Sequence, residues 1–497
     1  MNIGMLLEMA ADGMGDRVAV GRATGGTTYA GLLDDARRLA GLLQASGVER
    51  LVLVDVNSDA VPTLLFGAVL AGIPFVPLNY RLADDQLALL LDRTAPALAV
   101  VEAAVPGRVG RRDGIEYVGA GELRARLPDT APAAGDTADP DGIAVLLFTS
   151  GTTGDPKAAV LRHRHLTSYV LSTVEFMGAD PHHAGLVSVP PYHVAGMATI
   201  LTGVYGGRRL LYLPAFDPAA WVDLARDEAV THAMVVPTML GRILDVLEER
   251  AESLPSLVHL AYGGGRMPVP VIERALTLLP HVGLVNAYGL TETSSTVSVL
   301  SPEDHRTAFA SDDPAVRARL GSVGRPLPSL EVEIRDPYGK PLPPGERGEI
   351  YVRGEQVAGE YLGKGGVLTD DGWFPTNDGG WLDEAGYLFV EGRLDDVIVR
   401  GGENISPGEV EDVLLEHPAV AEAGVVGVPD DEWGETVAAA VVLNQGVEAT
   451  AEELADWVRE RLRSARTPTL IEFRSALPYN ETGKLLRRVL KAELASG

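Results

Sequence analysis

Short, largely apolar runs alternate with stretches of helical period along most of this chain, and that alternation leaves few folds open. The runs Leu51–Val56, Ala97–Val101, Ala144–Phe148, Leu186–Val189, Arg209–Leu213, Ala233–Val236 and Gly283–Val285 are too short for helices and too apolar for strands with one wet face. Between them, Leu32, Leu33, Ala36, Leu39, Leu42 and Leu43 recur at three- and four-residue spacing, as do Met239, Leu240, Ile243, Leu244 and Leu247. Strands buried on both faces need helices above and below, so the pattern predicts an α/β fold built on parallel sheet.

The texture changes twice. From Gly321 to Leu388, Gly/Pro turns separate alternating strands such as Leu330–Ile334 and Glu349–Val352, which predicts an antiparallel β appendage to the large N-terminal domain. Beyond Gly392-Arg393-Leu394-Asp395-Asp396 comes a compact α+β pattern, with a strand at Val437–Leu443 and a helix at Glu452–Arg463. The expected division is a large domain over residues 1–394 and a small one over 395–497. The Pro/Ala/Asp/Gly-rich stretch Pro128–Asp141 reads as a surface loop.

Lys+Arg 42 against Asp+Glu 69 gives a net charge of −27, which disfavours a nucleic-acid or anionic-lipid partner. Anionic small molecules must then meet a local basic site. With no cysteine, any thiol in the chemistry arrives on a substrate. No basic leader or run of ~18 apolar residues is found, so a cytoplasmic protein without a membrane span is expected. Oligomeric state is left open.

The strand at Ala144–Phe148 runs into Thr149-Ser150-Gly151-Thr152-Thr153-Gly154-Asp155-Pro156-Lys157. Glycines for tight turns, hydroxyl donors and one lysine are the ingredients of a triphosphate cradle, although the spacing is not that of a P-loop NTPase. This segment resembles the phosphate loop of the adenylate-forming superfamily, which includes acyl-CoA synthetases, nonribosomal adenylation domains and luciferases. Ala158 stands where most members carry glycine, which predicts a stiffer loop.

Further segments resemble that family in order from about Leu32 to Arg488. Pro190-Pro191-Tyr192-His193-Val194-Ala195-Gly196 is similar to the segment whose aromatic or imidazole ring gates the acyl pocket, here His193. Ala261-Tyr262-Gly263-Gly264-Gly265 resembles the glycine turn beneath adenine. Asn286-Ala287-Tyr288-Gly289-Leu290-Thr291-Glu292 resembles the run that stacks Tyr288 on adenine, reaches phosphate with Thr291 and binds Mg²⁺ through Glu292. Trp373–Asp378 is similar to the run whose aspartate, here Asp378, holds both ribose hydroxyls, with Asn377 in place of the usual glycine. Asparagine tolerates the left-handed backbone that such a glycine adopts.

In Gly392–Pro407 the resemblance implies a nucleotide contact at Arg393, a hinge at Asp395 and a pantetheine tunnel lined by Gly401 and Gly402. In Leu477–Leu485 it implies a mobile catalytic lysine at Lys484. The implied activity is ATP- and Mg²⁺-dependent conversion of a carboxylic acid to acyl-AMP, then to a coenzyme A thioester. The small domain would rotate about Asp395 between the two steps.

No Ser-bearing carrier segment follows before Gly497, which favours free CoA over a separate carrier protein as acceptor. A basic run of Arg459, Arg461, Arg463, Arg466, Arg474, Lys484, Arg487, Arg488 and Lys491 either holds CoA phosphates or is the polar face of ordinary helices. Acetate-specific relatives carry tryptophan at the position of Gly289, so glycine there implies a medium-to-large apolar or aryl acid. Tyr192-His193, where amino-acid-activating relatives carry aspartate, disfavours amino acids. Specialisation in one half reaction, or a non-catalytic nucleotide- or acyl-binding protein, are the alternatives, and the intact set Lys157, Glu292, Asp378, Arg393 and Lys484 argues against the latter.

Overall fold

A computed structural model describes residues 1–133, 139–149, 156–430, 432–462, 464–480 and 485–495. Among these residues the strands form four sheets. In the largest, Gly283–Leu290, His259–Gly263, His232–Val235, Ala184–Val187, Arg209–Tyr212 and Val18–Val20 lie side by side and parallel. The second has a parallel core of Ile143–Thr149, Phe75–Pro77, Arg50–Val54, Ala97–Val101 and Ile115–Val118. Seven of these eleven strands overlap the apolar runs, as expected for sheets covered on both faces, whereas Val18–Val20, Phe75–Pro77, Ile115–Val118 and His259–Gly263 fall outside them.

The helices between them explain that cover. Tyr29–Ser46 is capped by the Thr28 hydroxyl, which accepts from Gly31 N–H, and ends at Gly47 with φ +69°. Its face of Leu32, Leu39 and Leu43 is buried against Val61–Ala71, and a Cβ on Gly67 would lie 2.5 Å from Leu39 Cδ2. Each such leucine contributes about 2 kcal/mol on burial.

The stretch 321–388 is not one appendage. Glu331–Arg335, Gly348–Arg353, Phe374–Leu382 and Leu388–Arg393 do form an antiparallel four-stranded sheet. Arg325–Pro326, however, joins the edge of the largest sheet, and Glu360–Tyr361 with Gly365–Gly366 extends the second sheet beyond Lys157–Arg162. A two-residue strand carries too little alternation to reveal its sheet.

After the turn Leu394–Asp396 a fourth sheet begins at Ile398–Arg400, centred on Gly434–Leu443 and packed with the helices Pro407–Leu415 and Ala451–Arg461. Asp395 lies in that turn. No helix among the described residues is long and apolar enough to cross a membrane.

A buried imidazole beneath the glycine turn gives the fold a pH dependence. Tyr262 donates its hydroxyl to His305 Nε2 at 2.7 Å, and His305 Nδ1–H donates to the Ser301 carbonyl at 2.8 Å. Burial pulls His305 from 6.5 to about 4, and the same cause pulls His165 to about 4 and His232 to about 3. Unfolded, these rings regain ordinary basicity, so the unfolded chain binds more protons below pH 6.5. Their contribution is complete above that pH and is lost progressively as pH falls towards 4. Between pH 6.5 and pH 5 the urea midpoint of His305→Gln should therefore lose less than that of wild type; an identical pH dependence of the two would refute this.

Candidate active site

The strands His259–Gly263 and Gly283–Leu290 run in register, with Tyr262 opposite Asn286 and Gly263 opposite Ala287. Ligands of open α/β sheets bind beyond the carboxyl ends of such strands. A Cβ on Gly263 would lie 2.3 Å from the Ala287 carbonyl oxygen, and Gly264 adopts φ +79° with Val236 Cγ1 at 3.7 Å from where a Cβ would stand. Both positions therefore demand glycine, by close approach in one case and by backbone conformation in the other. Gly265 follows with Pro237 Cγ 3.7 Å from where its Cβ would stand. Asn286 is buried and donates Nδ2–H to the Ser322 carbonyl at 3.1 Å, so it anchors the strand.

Tyr288 links this turn to the antiparallel sheet. Its hydroxyl donates to Asp378 Oδ2 at 2.6 Å, while Arg393 Nε lies 3.2 Å from Asp378 Oδ1. Asp378 and Arg393 are register partners on adjacent strands, and Arg393 Nη1 also donates to the Thr376 carbonyl at 2.7 Å. Burial, then the Asp378 carboxylate, pushes the Tyr288 phenol well above its ordinary value, so it remains a donor. Asn377 has φ +59°, the left-handed conformation expected of a glycine substitute, and its Nδ2 donates to Asp395 Oδ2 at 2.9 Å.

A second buried carboxylate sits after Gly289 and Leu290, in the 3₁₀ turn Thr291–Thr293. Glu292 is 8% exposed and its Oε1 accepts the Tyr361 hydroxyl at 2.6 Å. Lys157 Nζ lies 5.5 Å from the centroid of the same Tyr361 ring. Lys157 opens the strand Lys157–Arg162, antiparallel to Ile143–Thr149, with Thr149 its register partner and Thr149 Oγ1 donating to the Lys157 carbonyl at 3.4 Å. The phosphate-loop motif thus falls between two antiparallel neighbouring strands. Ser150, Gly151, Thr152, Thr153 and Gly154 lie outside the described residues, as does Lys484. Ala158 is buried within the strand, opposite Phe148, where its methyl contributes to sheet packing.

His193 is the N-cap residue of Val194–Gly206, with its ring 4.8 Å from that of Tyr192. Gly401 and Gly402, at φ +57° and +82°, form the two-residue tip of a hairpin between Ile398–Arg400 and Glu403–Ile405. A Cβ on Gly401 would lie 2.8 Å from the Trp433 ring. Arg266, next to the glycine turn, forms an ion pair with Asp412 of the helix Pro407–Leu415.

Four members of the basic run are engaged internally: Arg466 pairs with Glu403 and Glu409 at 2.7 and 2.6 Å, Lys491 with Glu435 at 2.6 Å, Arg487 with Glu411, and Arg474 with Glu472 at 2.8 Å. Most of these acids lie outside the run, where a local charge count misses them. Gly289 faces a different constraint from pocket width, since a Cβ there would lie 1.8 Å from the Ser295 carbonyl oxygen. Tyr361 was not a candidate from sequence at all.

Residues 7–362 match the model for "AMP-binding enzyme" and 409–484 that for "AMP-binding enzyme C-terminal domain". The chain is 36% identical over 484 residues to a feruloyl-CoA synthase of Amycolatopsis sp, covering 93% of each chain. It is 32% identical over 495 residues to a 2-succinylbenzoate–CoA ligase of Bacillus licheniformis, covering 97% of this chain and 98% of the relative. Among solved structures, it superimposes with a TM-score of 0.84 on the O-succinylbenzoate coenzyme A synthetase of Bacillus subtilis in complex with ATP and magnesium ion, at 30% identity and covering 98% of this chain and 99% of that one. Glycine turn, buried carboxylates and lysine-bearing strand are thus set in the frame of an adenylate-forming ligase, which activates an acid with ATP and Mg²⁺ and forms an acyl-CoA. The chain belongs to the AMP-binding enzyme family.

Proposed function

We propose that this protein is a cytoplasmic, AMP-forming acid:thiol ligase that acts on a medium-to-large apolar or aryl carboxylic acid. The observation that carries this reading is the linkage of Tyr288, Asp378 and Arg393 beside the glycine turn, with Lys157, Tyr361 and Glu292 gathered at the end of the same strand. Relatives named for feruloyl and succinylbenzoyl products, both aryl acyl groups, support the acid class.

In the first step a carboxylate oxygen of the acid attacks the α-phosphorus of ATP, the bond to the bridging oxygen breaks, and pyrophosphate leaves. Gly263, Gly264 and Gly265 give adenine a side-chain-free floor, and Tyr288 supplies an aromatic face. Asp378 accepts from the ribose hydroxyls while Tyr288 and Arg393 hold its orientation, since each carboxylate oxygen has more than one acceptor site. Thr149, Ser150, Gly151, Thr152, Thr153, Gly154 and Lys157 hold the triphosphate, with Thr291 beside it. Glu292 fits a divalent cation, being a buried hard oxygen ligand with one oxygen fixed by Tyr361 and acceptor capacity remaining. Bound there, Mg²⁺ would offset phosphate charge. Lys484 stabilises the charge that accumulates on the transferring group. His193 gates entry of the acid.

In the second step the thiol sulfur attacks the adenylate carbonyl carbon, the thiol gives up its proton and AMP leaves. A small domain over residues 395–497 turns about Asp395 between the steps, bringing the Gly401–Gly402 hairpin to the site. A panel of carboxylic acids scored for pyrophosphate release, and then for thioester formation on CoA and on a carrier protein, tests this reading. Aryl acids that yield neither product would overturn it, and thioester on carrier protein alone would replace the acceptor.

Asp378→Ala provides a residue-level test. Loss of a charge-assisted hydrogen bond is worth about 1.5–3 kcal/mol, so calorimetric titration should give dissociation constants for ATP and for AMP raised by roughly 10- to 150-fold. Unchanged affinity for both would remove Asp378 from the nucleotide site.

A further inference from the structure

Tyr361 stands between the two charged groups that face the triphosphate in the reading above, and nothing in the phosphate-loop or adenine motifs assigns it a part. Its hydroxyl holds Glu292 Oε1 at 2.6 Å and its ring receives Lys157 Nζ at 5.5 Å from the centroid. The backbone around it is pinned on both sides. Ala358 and Gly359 donate their N–H groups to the Glu292 carbonyl at 2.8 and 3.2 Å. On the other side Tyr361 is the register partner of Ala159, and Leu362 N–H donates to the Ala158 carbonyl at 2.9 Å, one residue from Lys157. Next to it Glu360 takes a bidentate pair from Arg162, with contacts of 2.7 and 2.8 Å, which fixes the short strand against Lys157–Arg162.

We propose that Tyr361 is a positioning residue that sets Glu292 and Lys157 at a fixed separation, so that the cation-binding carboxylate and the phosphate-binding ammonium are ready before MgATP arrives. A carboxylate with one oxygen locked by a phenol presents the other in one orientation, which lowers the ordering required when a cation is bound. An ammonium held over an aromatic face is kept from swinging onto that carboxylate, where an ion pair would block both ligands. The segment 358–362 also joins the turn Thr291–Thr293, which belongs to the largest sheet's connection, to a strand of the second sheet. Without such a tie the two groups would move independently.

This inference rests on Glu292 as the metal ligand, and the test separates the two. ATP affinity is measured calorimetrically in the absence of acid, once with Mg²⁺ and once with EDTA, for wild type, Tyr361→Phe, Tyr361→Leu and Glu292→Gln. Tyr361→Phe keeps the ring and removes the hydroxyl, so the affinity gained from Mg²⁺ should fall about tenfold while Mg²⁺-free binding stays unchanged. Tyr361→Leu should show that loss and also weaken Mg²⁺-free binding by about two- to fivefold, through release of Lys157. Glu292→Gln should remove the Mg²⁺ effect. If Glu292→Gln removes it and Tyr361→Phe does not reduce it, the positioning role is overturned while the metal site stands. If Glu292→Gln leaves it intact, the metal reading fails and this inference with it. Glu360→Gln guards against misfolding of the tyrosine variants: it loosens the Arg162 pair with Tyr361 in place and should reduce the Mg²⁺ effect in the same direction, and a wild-type response there together with unfolded tyrosine variants would count against the inference.

Discussion

Lys484→Ala is expected to slow acyl-adenylate formation by about two to three orders of magnitude while thioester formation from supplied acyl-adenylate stays near the wild-type rate. The asymmetry follows from where charge develops. In the first step two anions are brought together and negative charge accumulates on the transferring phosphoryl group, so an ammonium placed there favours the transition state over the bound substrates. In the second step a neutral carbonyl is attacked, and in the proposed rotation the segment carrying Lys484 has turned away. Pyrophosphate exchange and single-turnover thioester formation measure the two steps separately. Equal damage to both would mean that Lys484 supports the fold or binds CoA; damage to neither would make it a surface lysine.

A comparable loss is expected from a far smaller change. Gly289→Ala should lower the unfolding free energy by about 3 kcal/mol or more, because the added methyl meets the Ser295 carbonyl oxygen at 1.8 Å and then Thr296 Cα at 3.0 Å, both in backbone. Neither atom can yield as the end of a flexible side chain would. The site lies at a register shift between Tyr288 and Gly289, where the strand bulges against Ser295–Leu300. Chemical denaturation at pH 7 measures the loss, and a destabilisation below ~1 kcal/mol would show that the strand pair relaxes. The result also bears on substrate choice. A bulky residue at 289 in this chain would have to displace the neighbouring strand before it could narrow an acyl pocket.

The parallel core was legible because its signal is local. Runs such as Ala97–Val101 and Ala144–Phe148 are apolar over their whole length, and the helix faces repeat at three and four residues. The site was legible where residue type alone carries the meaning, as at Gly264 and Asn377, both of which adopt positive φ. What escaped is what depends on distant partners. Tyr361 gains its position only when a two-residue strand pairs across a sheet with Ala159. Arg466 and Lys491 read as an open basic surface until the fold brings Glu403, Glu409 and Glu435 to them. Gly289 reads as absent bulk, whereas the opposing carbonyl makes it a requirement.

The amide of Asn377 on Asp395 has a consequence for timing. A chain with glycine at 377 would keep the same left-handed backbone and lack this 2.9 Å bond. With Asp395 as the proposed pivot, a turn of the backbone there would break this bond. An exposed hydrogen bond to a carboxylate is worth about 1 kcal/mol, which shifts a two-state equilibrium roughly fivefold. On the proposed rotation, Asn377 would act as a weak detent on the swing of the small domain, lengthening the dwell in the present arrangement without touching nucleotide, acid or thiol.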